Sequence, residues 1–331
     1  MTRQEFAPIL KQYMESHDRF IIAGHEGPDG DCIGAAVALG LALRNMGKEV
    51  YTFYDRYSET CKEREIAQLL PRLSLEEAEE ASNTPYAFIL VDASEDHRLG
   101  KGRFLIEKAA DFLSIDHHVQ FREYDRMAYV EAHIIATCEI LFYLFKEADI
   151  PISGDMAKAL FLGLVTDTGG FRHAATTGDT YRAAAALIDQ GADPTYTINL
   201  EYHTHSFKRY KVLSLVYRKL MIYEGGIGLA AISLADYAKV GADPEDNDGI
   251  VENLMEVEEA EAVAFLREQT PGKINVSFRS KGAIDVSVIA REFGGGGHVQ
   301  AAGCEFHEPL LSAKLKVLRA LKEAPRVRKE A

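Results

Sequence analysis

The chain has no paired cysteines, no long apolar run and no excess of positive charge, and each absence narrows what it can be. Its four cysteines, Cys32, Cys61, Cys138 and Cys304, form no CxxC pair. They read as ordinary thiols of a reducing compartment. The longest apolar stretch, Ala35–Leu43, is far too short to span a bilayer. Met1–Arg19 is charged and has no apolar core of signal-peptide length. These features predict a cytoplasmic protein with no membrane partner. Lys plus Arg number 37 against 51 Asp plus Glu, a formal net charge of −14. Such a surface repels a long phosphate backbone, so long duplex nucleic acid is not an expected partner. A phosphate-bearing substrate should be small, held by metals and a few local cations.

What is present is enough for two domains: 331 residues, 47% of them hydrophobic. The first half alternates strand-like and helix-like segments. Phe20–Gly24, Glu49–Tyr54, Tyr86–Val91 and Asp111–Ile115 read as strands. Asp31–Met46, with Gly47 just past its end, reads as a helix, as do Ala136–Ala148 and Met156–Val165. This order predicts an α/β domain with a mainly parallel sheet flanked by helices. The pattern changes near Gly191–Pro194. Glu201–Lys219 is expected to be a connecting helix. Ile227–Ser233, Ala260–Glu268 and Lys273–Arg279 follow as strands, with a turn at Thr270-Pro271-Gly272. Val286–Phe293 and Leu310–Lys322 complete a smaller α+β domain. The expected division is 1–190, a connecting segment 191–215, and 216–331. The charged tail Arg326–Ala331 is the one segment expected to be disordered.

Three strands run directly into polar clusters. In open α/β sheets ligands bind beyond the carboxyl ends of the strands, so clusters far apart in sequence can converge. The first is His25-Glu26-Gly27-Pro28-Asp29-Gly30-Asp31, one imidazole and three carboxylates, a donor set that suits Mn²⁺, Mg²⁺ or related ions. Its plain alternative is an acidic turn in which Asp31 only N-caps the next helix. The second, Val91-Asp92-Ala93-Ser94, is equally compatible with an ordinary strand-to-helix turn. The third, Ile115-Asp116-His117-His118, offers a metal ligand, a phosphate donor and a supporting carboxylate. The fourth is Thr166-Asp167-Thr168-Gly169-Gly170, where a turn Asp is the plain reading. Near the C-terminus, Gly294–Gly297 precedes His298. Successive glycine amides can cradle an anion, and Arg279 offers a planar fork for phosphate.

Taken together in this order, HxxPDxD, VDxS, DHH and TDTG resemble the four motifs of the DHH phosphoesterase superfamily. Arg279-Ser280 followed by the Gly294–Gly303 segment looks like the signature of its DHHA1 partner domain. The resemblance spans Phe20–Phe306 and is most like the nanoRNase/pAp-phosphatase (NrnA-type) branch. It implies an active site in the cleft between the two domains and two divalent metal ions, Mn²⁺ first, with Mg²⁺ or Co²⁺ as alternatives. His25 and Asp29 would hold one ion, Asp31, His117 and Asp167 the other, and Asp92 would bridge them. His118 would face the scissile phosphate and Asp116 would orient His117. Arg279, Gly295, Gly296, Gly297 and His298 would bind substrate, with Arg98, Arg172 and His203 as weaker candidates that could equally be surface residues. Cys32 is expected to be a helix residue and not a nucleophile. Ala35, Ala93 and Phe121 depart from what relatives carry, though none is a ligand position.

The implied activity is hydrolysis of very short oligoribonucleotides and of 3′-phosphoadenosine 5′-phosphate (pAp). Two other readings stand beside it: hydrolysis of a cyclic dinucleotide or its linear pApA-type product, and a nucleotide-binding regulator without catalysis. The filled ligand positions argue against the regulator. A homodimer is compatible with the sequence but not required by it.

Overall fold

The structure, a computed structural model, describes residues 1–93, 95–118, 126–247 and 249–326. Ser94 of the second cluster, Phe121 and tail residues 327–331 lie outside the described residues. The chain divides into two compact units, Met1–Thr204 and His205–Ala331.

The first unit begins with helix α1 (Arg3–Ser16), strand β1 (Arg19–Ala23), α2 (Gly30–Asn45), β2 (Glu49–Phe53), α3 (Arg64–Ala67), β3 (Arg72–Leu73), α4 (Leu75–Ala81) and β4 (Ala87–Val91). It continues through α5 (Phe104–Lys108), β5 (Asp111–Asp116), β6 (Met127–Val130), α6 (Thr137–Glu147), α7 (Gly154–Asp167), α8 (Gly178–Asp189) and α9 (Pro194–Ile198). The strands form one parallel sheet in the order β3-β2-β1-β4-β5-β6. All five residues of β4 are buried, because side chains alternate between two covered faces. Ile22, Ile89, Val91 and Ile115 pack toward α1, α2, α6 and α7. Ile21, Ala23, Phe88 and Leu90 pack on the opposite layer with Leu99, Leu105 and Ile106.

Helix α1 was not foreseen. A Thr2–Glu5 capping box starts it, and Phe6, Leu10, Tyr13 and Met14 bury its apolar stripe. Helices α2 and α7 meet at glycines. A Cβ on Gly34 would lie 2.3 Å from the Ala159 carbonyl oxygen, and one on Gly163 would lie 2.5 Å from Asp31 Oδ1. Only glycine permits this approach, and it sets Asp31 of α2 beside α7.

The second unit holds α10 (Phe207–Lys219), β7 (Met221–Tyr223), β8 (Ile227–Ile232), α11 (Leu234–Val240), α12 (Ile250–Met255) and β9 (Ala262–Thr270). Then follow β10 (Lys273–Ser280), α13 (Val286–Glu292), β11 (Gly296–Gly297), β12 (Ala301–His307) and α14 (Leu310–Glu323). Its mixed sheet runs β11-β12-β10-β9-β8-β7, with β8 and β9 parallel and the other pairs antiparallel. Ala313, Val317 and Leu321 of α14 cover one face. Val212 and Val216 of α10, Tyr237 and Leu254 cover the other. The expected continuous helix over Glu201–Lys219 is broken. A π-helical turn ends at His203, and a new helix starts after Ser206, whose hydroxyl accepts the Arg209 N–H. Within the glycine run, Gly296 and Gly297 pair with Gly303 and Ala302 as an edge strand.

Candidate active site

Three strand ends and two helix ends build one cluster. His25 follows β1, Asp92 follows β4, and Asp116 ends β5 with His117 and His118 directly behind it. Strands β1 and β4 are sheet neighbours although two strands intervene in sequence, so the order of strand addition reverses between them. Open parallel sheets bind ligands at this kind of switch point. Helix α2 brings Asp29 and Asp31 at its amino end, and α7 brings Asp167 as its last residue.

The helix cap is Asp29, not Asp31. Asp29 Oδ1 accepts the N–H of Asp31 at 3.1 Å and of Cys32 at 3.0 Å, while Oδ2 lies 3.7 Å from His25 Nε2. Asp31 sits inside the helix, fully buried. Its two carboxylate oxygens accept the N–H groups of Thr137 at 2.7 Å and Cys138 at 2.9 Å. Those donors begin α6, so the positive end of that helix partly offsets the buried charge.

Asp92 is the centre of the arrangement. Its Oδ2 lies 3.4 Å from His25 Nε2 and its Oδ1 lies 3.3 Å from His117 Nε2. The Thr137 hydroxyl donates to the same Oδ1 at 3.2 Å. Each oxygen thus faces a different histidine. Asp92 has φ of 55°, a left-handed conformation in a non-glycine residue. Asp tolerates that region better than most, at a cost of roughly 1–2 kcal/mol. Such strain persists where the surroundings over-determine it, which is common at functional sites.

The histidine orientations decide what the cluster can hold. His25 Nδ1 lies 3.1 Å from the Glu26 carbonyl oxygen, and His117 Nδ1 lies 3.2 Å from that of Ile134. A carbonyl only accepts, so each Nδ1 carries the proton. Each Nε2 then turns toward carboxylates, and His117 Nε2 also lies 3.3 Å from Asp167 Oδ2. A lone pair facing a carboxylate is repulsive unless a proton or a metal ion lies between.

The titration pattern follows. Burial opposes the charge on His25, but Asp29 and Asp92 outweigh it and raise the imidazole to about 10. Burial likewise works against His117, and Asp92 and Asp31 raise it to about 9. Burial, then the charge of Asp92, push Asp31 up to about 7. Burial and the charges of Asp31, Asp92 and Asp29 push Asp167 well above the carboxylate range. Burial acts the same way on Asp92, but His117 and His25 reverse it and hold Asp92 below that range. Among the described residues, no Lys or Arg pairs with Asp29, Asp31, Asp92 or Asp167. The ligand atoms of Asp31, His117 and Asp167 lie within 4.8 Å of one another, and so do those of Asp92, Asp116, His117 and His118. Carboxylate oxygens with oriented imidazoles, and with no Lys or Arg on those four carboxylates among the described residues, fit divalent cations. Cys32 lies beside His25 and Asp92, but burial raises its thiol well above normal, which disfavours a nucleophilic thiolate.

Asp116 holds His118 rather than the ring of His117. Its Oδ1 takes His118 Nδ1 at 2.8 Å and the backbone N–H groups of both histidines. The Ile134 carbonyl serves the His117 ring instead. Thr137 was missed in the sequence; its signal is a hydroxyl residue opening a predicted helix. Arg98 lies in a 3₁₀-helical segment, Asp96–Arg103, beside the cluster, where its carbonyl accepts the Glu26 N–H at 2.6 Å. Arg172 is exposed, five residues past Asp167, with Nε bound to the Gly169 carbonyl at 2.6 Å and its guanidinium over Tyr202. His203 is exposed at the end of the π-helical turn.

In the second unit, register brings Arg279 to the glycine hairpin. Arg279 of β10 pairs with Ala301 of β12, and Ala301 exchanges two hydrogen bonds with His298, whose N–H donates at 2.7 Å. A Cβ on Gly295 would lie 2.1 Å from the Gly303 carbonyl oxygen, so glycine is required there.

The family described as "DHH family, N-terminal domain" matches residues 19–164, and the DHHA1 domain matches residues 229–325. The bifunctional oligoribonuclease and PAP phosphatase NrnA of Thermus thermophilus is 30% identical over 306 residues, 91% of this chain and 89% of that protein. The cyclic-di-AMP phosphodiesterase GdpP of Bacillus subtilis is 27% identical over 327 residues, 94% of this chain but 48% of that protein. A solved exopolyphosphatase-related protein from Bacteroides fragilis superposes with a TM-score of 0.89 at 23% identity, over 97% of this chain and 96% of that one, a likeness of fold.

Proposed function

This chain belongs to the DHH family, with a DHHA1 domain following the DHH domain, and from that premise we propose that it hydrolyses short oligoribonucleotides to mononucleotides and pAp to AMP. The observation that carries this reading is the buried carboxylate–imidazole cluster, in which His25 and His117 turn Nε2 toward carboxylates and, among the described residues, no Lys or Arg pairs with Asp29, Asp31, Asp92 or Asp167.

In this reading His25 and Asp29 hold one divalent cation, Asp31, His117 and Asp167 hold a second, and Asp92 spans both. Manganese is the favoured ion, with magnesium or cobalt as alternatives. Cations bound there supply an activated water and neutralise charge on the phosphoryl oxygens. The chain's own groups do the positioning. Thr137 and Cys138 N–H groups fix Asp31, and the Thr137 hydroxyl fixes Asp92. His118, anchored through Nδ1 on Asp116, donates to the scissile phosphate. Arg98, Arg172 and His203 are candidates for further phosphate or nucleotide contacts. Arg279 with Gly295, Gly296, Gly297 and His298 recognises the nucleotide.

A second reading, cleavage of a cyclic dinucleotide or its linear product, has support in the GdpP likeness along 94% of this chain, although the chain spans about half of that protein. One comparison separates the two. Metal-loaded protein is given pAp, 5′-labelled RNA of two to about twenty nucleotides and cyclic di-AMP, and kcat/KM is ranked. With a net charge of −14, added phosphates meet repulsion without new contacts, so activity should peak at about two to five nucleotides and salt dependence should be shallow. Cyclic di-AMP ahead of linear RNA and pAp would favour the second reading. Digestion of the longest strand at the dinucleotide rate, with a steep salt slope, would contradict the first.

A further inference from the structure

The second unit contains a cavity of about 220 Å³ whose walls include Asn247, Glu252, Arg267, Ser277 and Arg279. Among the described residues, two arginines and one glutamate line it. Arg267 donates from Nη1 to Asn247 Oδ1 at 3.1 Å and from Nη2 to Ser277 Oγ at 2.9 Å. Arg279 is positioned differently. Its Nε and Nη2 both donate to Glu252 Oε1, at 3.1 and 2.6 Å, and Nη1 donates to the Phe278 carbonyl at 2.9 Å. The Nε/Nη2 edge is one that binds carboxylate or phosphate through two parallel bonds. Glu252 therefore holds an edge of Arg279 that an incoming phosphate would use. The two side chains are 51% and 30% exposed, so the pair is weak and readily exchanged.

We propose that Glu252 is a specificity-determining residue, whose carboxylate competes with a nucleotide phosphate for Arg279 and disfavours a doubly charged terminal phosphate more than a singly charged phosphodiester. This rests on the reading of Arg279 as the nucleotide-binding arginine. Coulomb repulsion scales with the product of the charges. The factor by which Glu252 weakens a dianion is therefore the square of the factor for a monoanion at the same place. The cavity is thereby biased toward the diester of an oligonucleotide over a free phosphomonoester.

The test titrates the full-length chain, stripped of metal so that the acidic cluster offers phosphate no cation. The probes are AMP at pH 8, a dianion since its second ionisation lies near 6, and the methyl ester of AMP, a monoanion with the same nucleoside. Glu252→Gln keeps the side-chain shape at an exposed position. It should tighten the methyl ester about threefold and AMP about tenfold, for a solvent-screened charge at this range. Arg279→Ala should remove most affinity for both. Equal tightening of the two ligands, or none, with Arg279 dependence intact, overturns the proposal alone. Binding of both ligands that ignores Arg279→Ala overturns the assignment of Arg279, and this proposal with it. Metal-dependent hydrolysis of a small artificial phosphodiester is read separately and reports only on the catalytic reading.

Discussion

Replacing Asp167 by Asn should make the metal-free protein more stable and the metal-loaded protein less so. The carboxyl of Asp167 is pushed well above its ordinary range by burial and by Asp31, Asp92 and Asp29. A carboxylate with a raised folded-state pKa costs stability at neutral pH, because the folded state would rather bind a proton. Its ligand oxygen lies within 4.8 Å of that of Asp31. At an effective dielectric of about 20, two such charges repel by about 3 kcal/mol. His117 Nε2 at 3.3 Å returns part of this, leaving a relief of about 1–3 kcal/mol on neutralisation. For a unit of this size each kcal/mol moves the midpoint by about 2–4 °C, so the metal-free variant should melt about 2–12 °C higher. Metal reverses the order. A hundredfold excess over Kd stabilises the wild type by about 2.7 kcal/mol per ion, whereas the variant has lost an anionic ligand. Scanning calorimetry of both proteins, with chelator and with Mn²⁺, reads the crossing. A metal-free variant that melts below the wild type, or one that Mn²⁺ stabilises equally, would refute the reasoning.

Arg279→Ala should leave metal content unchanged and raise KM for nucleotide substrates about 10–100-fold, the loss of a charged hydrogen bond of about 1.5–3 kcal/mol; a small artificial phosphodiester should respond much less, and equal loss on both would assign Arg279 to the fold or the chemical step. Asp236 tests a stability element of the second unit. Burial opposes its ionisation, but Lys219 and the Ser233 N–H and hydroxyl outweigh burial and hold its pKa below the carboxylate range. A depressed folded-state pKa contributes stability that is present above about pH 4 and lost as pH falls further. Asp236→Asn should therefore cost about 1–2 kcal/mol at pH 7, with no change down to pH 5 and a shrinking gap below pH 4; denaturant unfolding at several pH values measures it, and a gap that widens in acid would contradict the assignment.

The parallel sheet was legible because its strands are continuous apolar runs that end in chemistry. Ala87–Val91 into Asp92 and Asp111–Ile115 into Asp116 carry both signals at once. The ends of α6 were readable to within a residue, since Ala136 and Ala148 flank an apolar stripe. Strand β12 hid behind its composition, because Ala301, Ala302 and Gly303 show no alternation of apolar and polar side chains, and register with β10 supplies it instead. Helix α1 had a capping box and an apolar stripe in plain view, obscured by its charged surface positions. Within the site, the residue types were visible but not their division of labour. That Asp29 caps α2, that Asp116 holds His118, and that Asp92 adopts positive φ are properties of backbone placement. Glu252 and Arg267 carried no motif at all; only the fold brings them beside Arg279.

Everything proposed for the catalytic unit depends on the acidic cluster being a two-ion centre bridged by Asp92. Equilibrium dialysis of the full-length chain against Mn²⁺, followed by elemental analysis, measures this. The wild type should hold two ions per chain. Asp92→Ala, which removes a ligand facing both His25 and His117, should lose most of its metal together with nearly all hydrolysis of a dinucleotide. Unchanged metal content in that variant, or full activity of the variant after its metal has been removed, would contradict the two-ion centre.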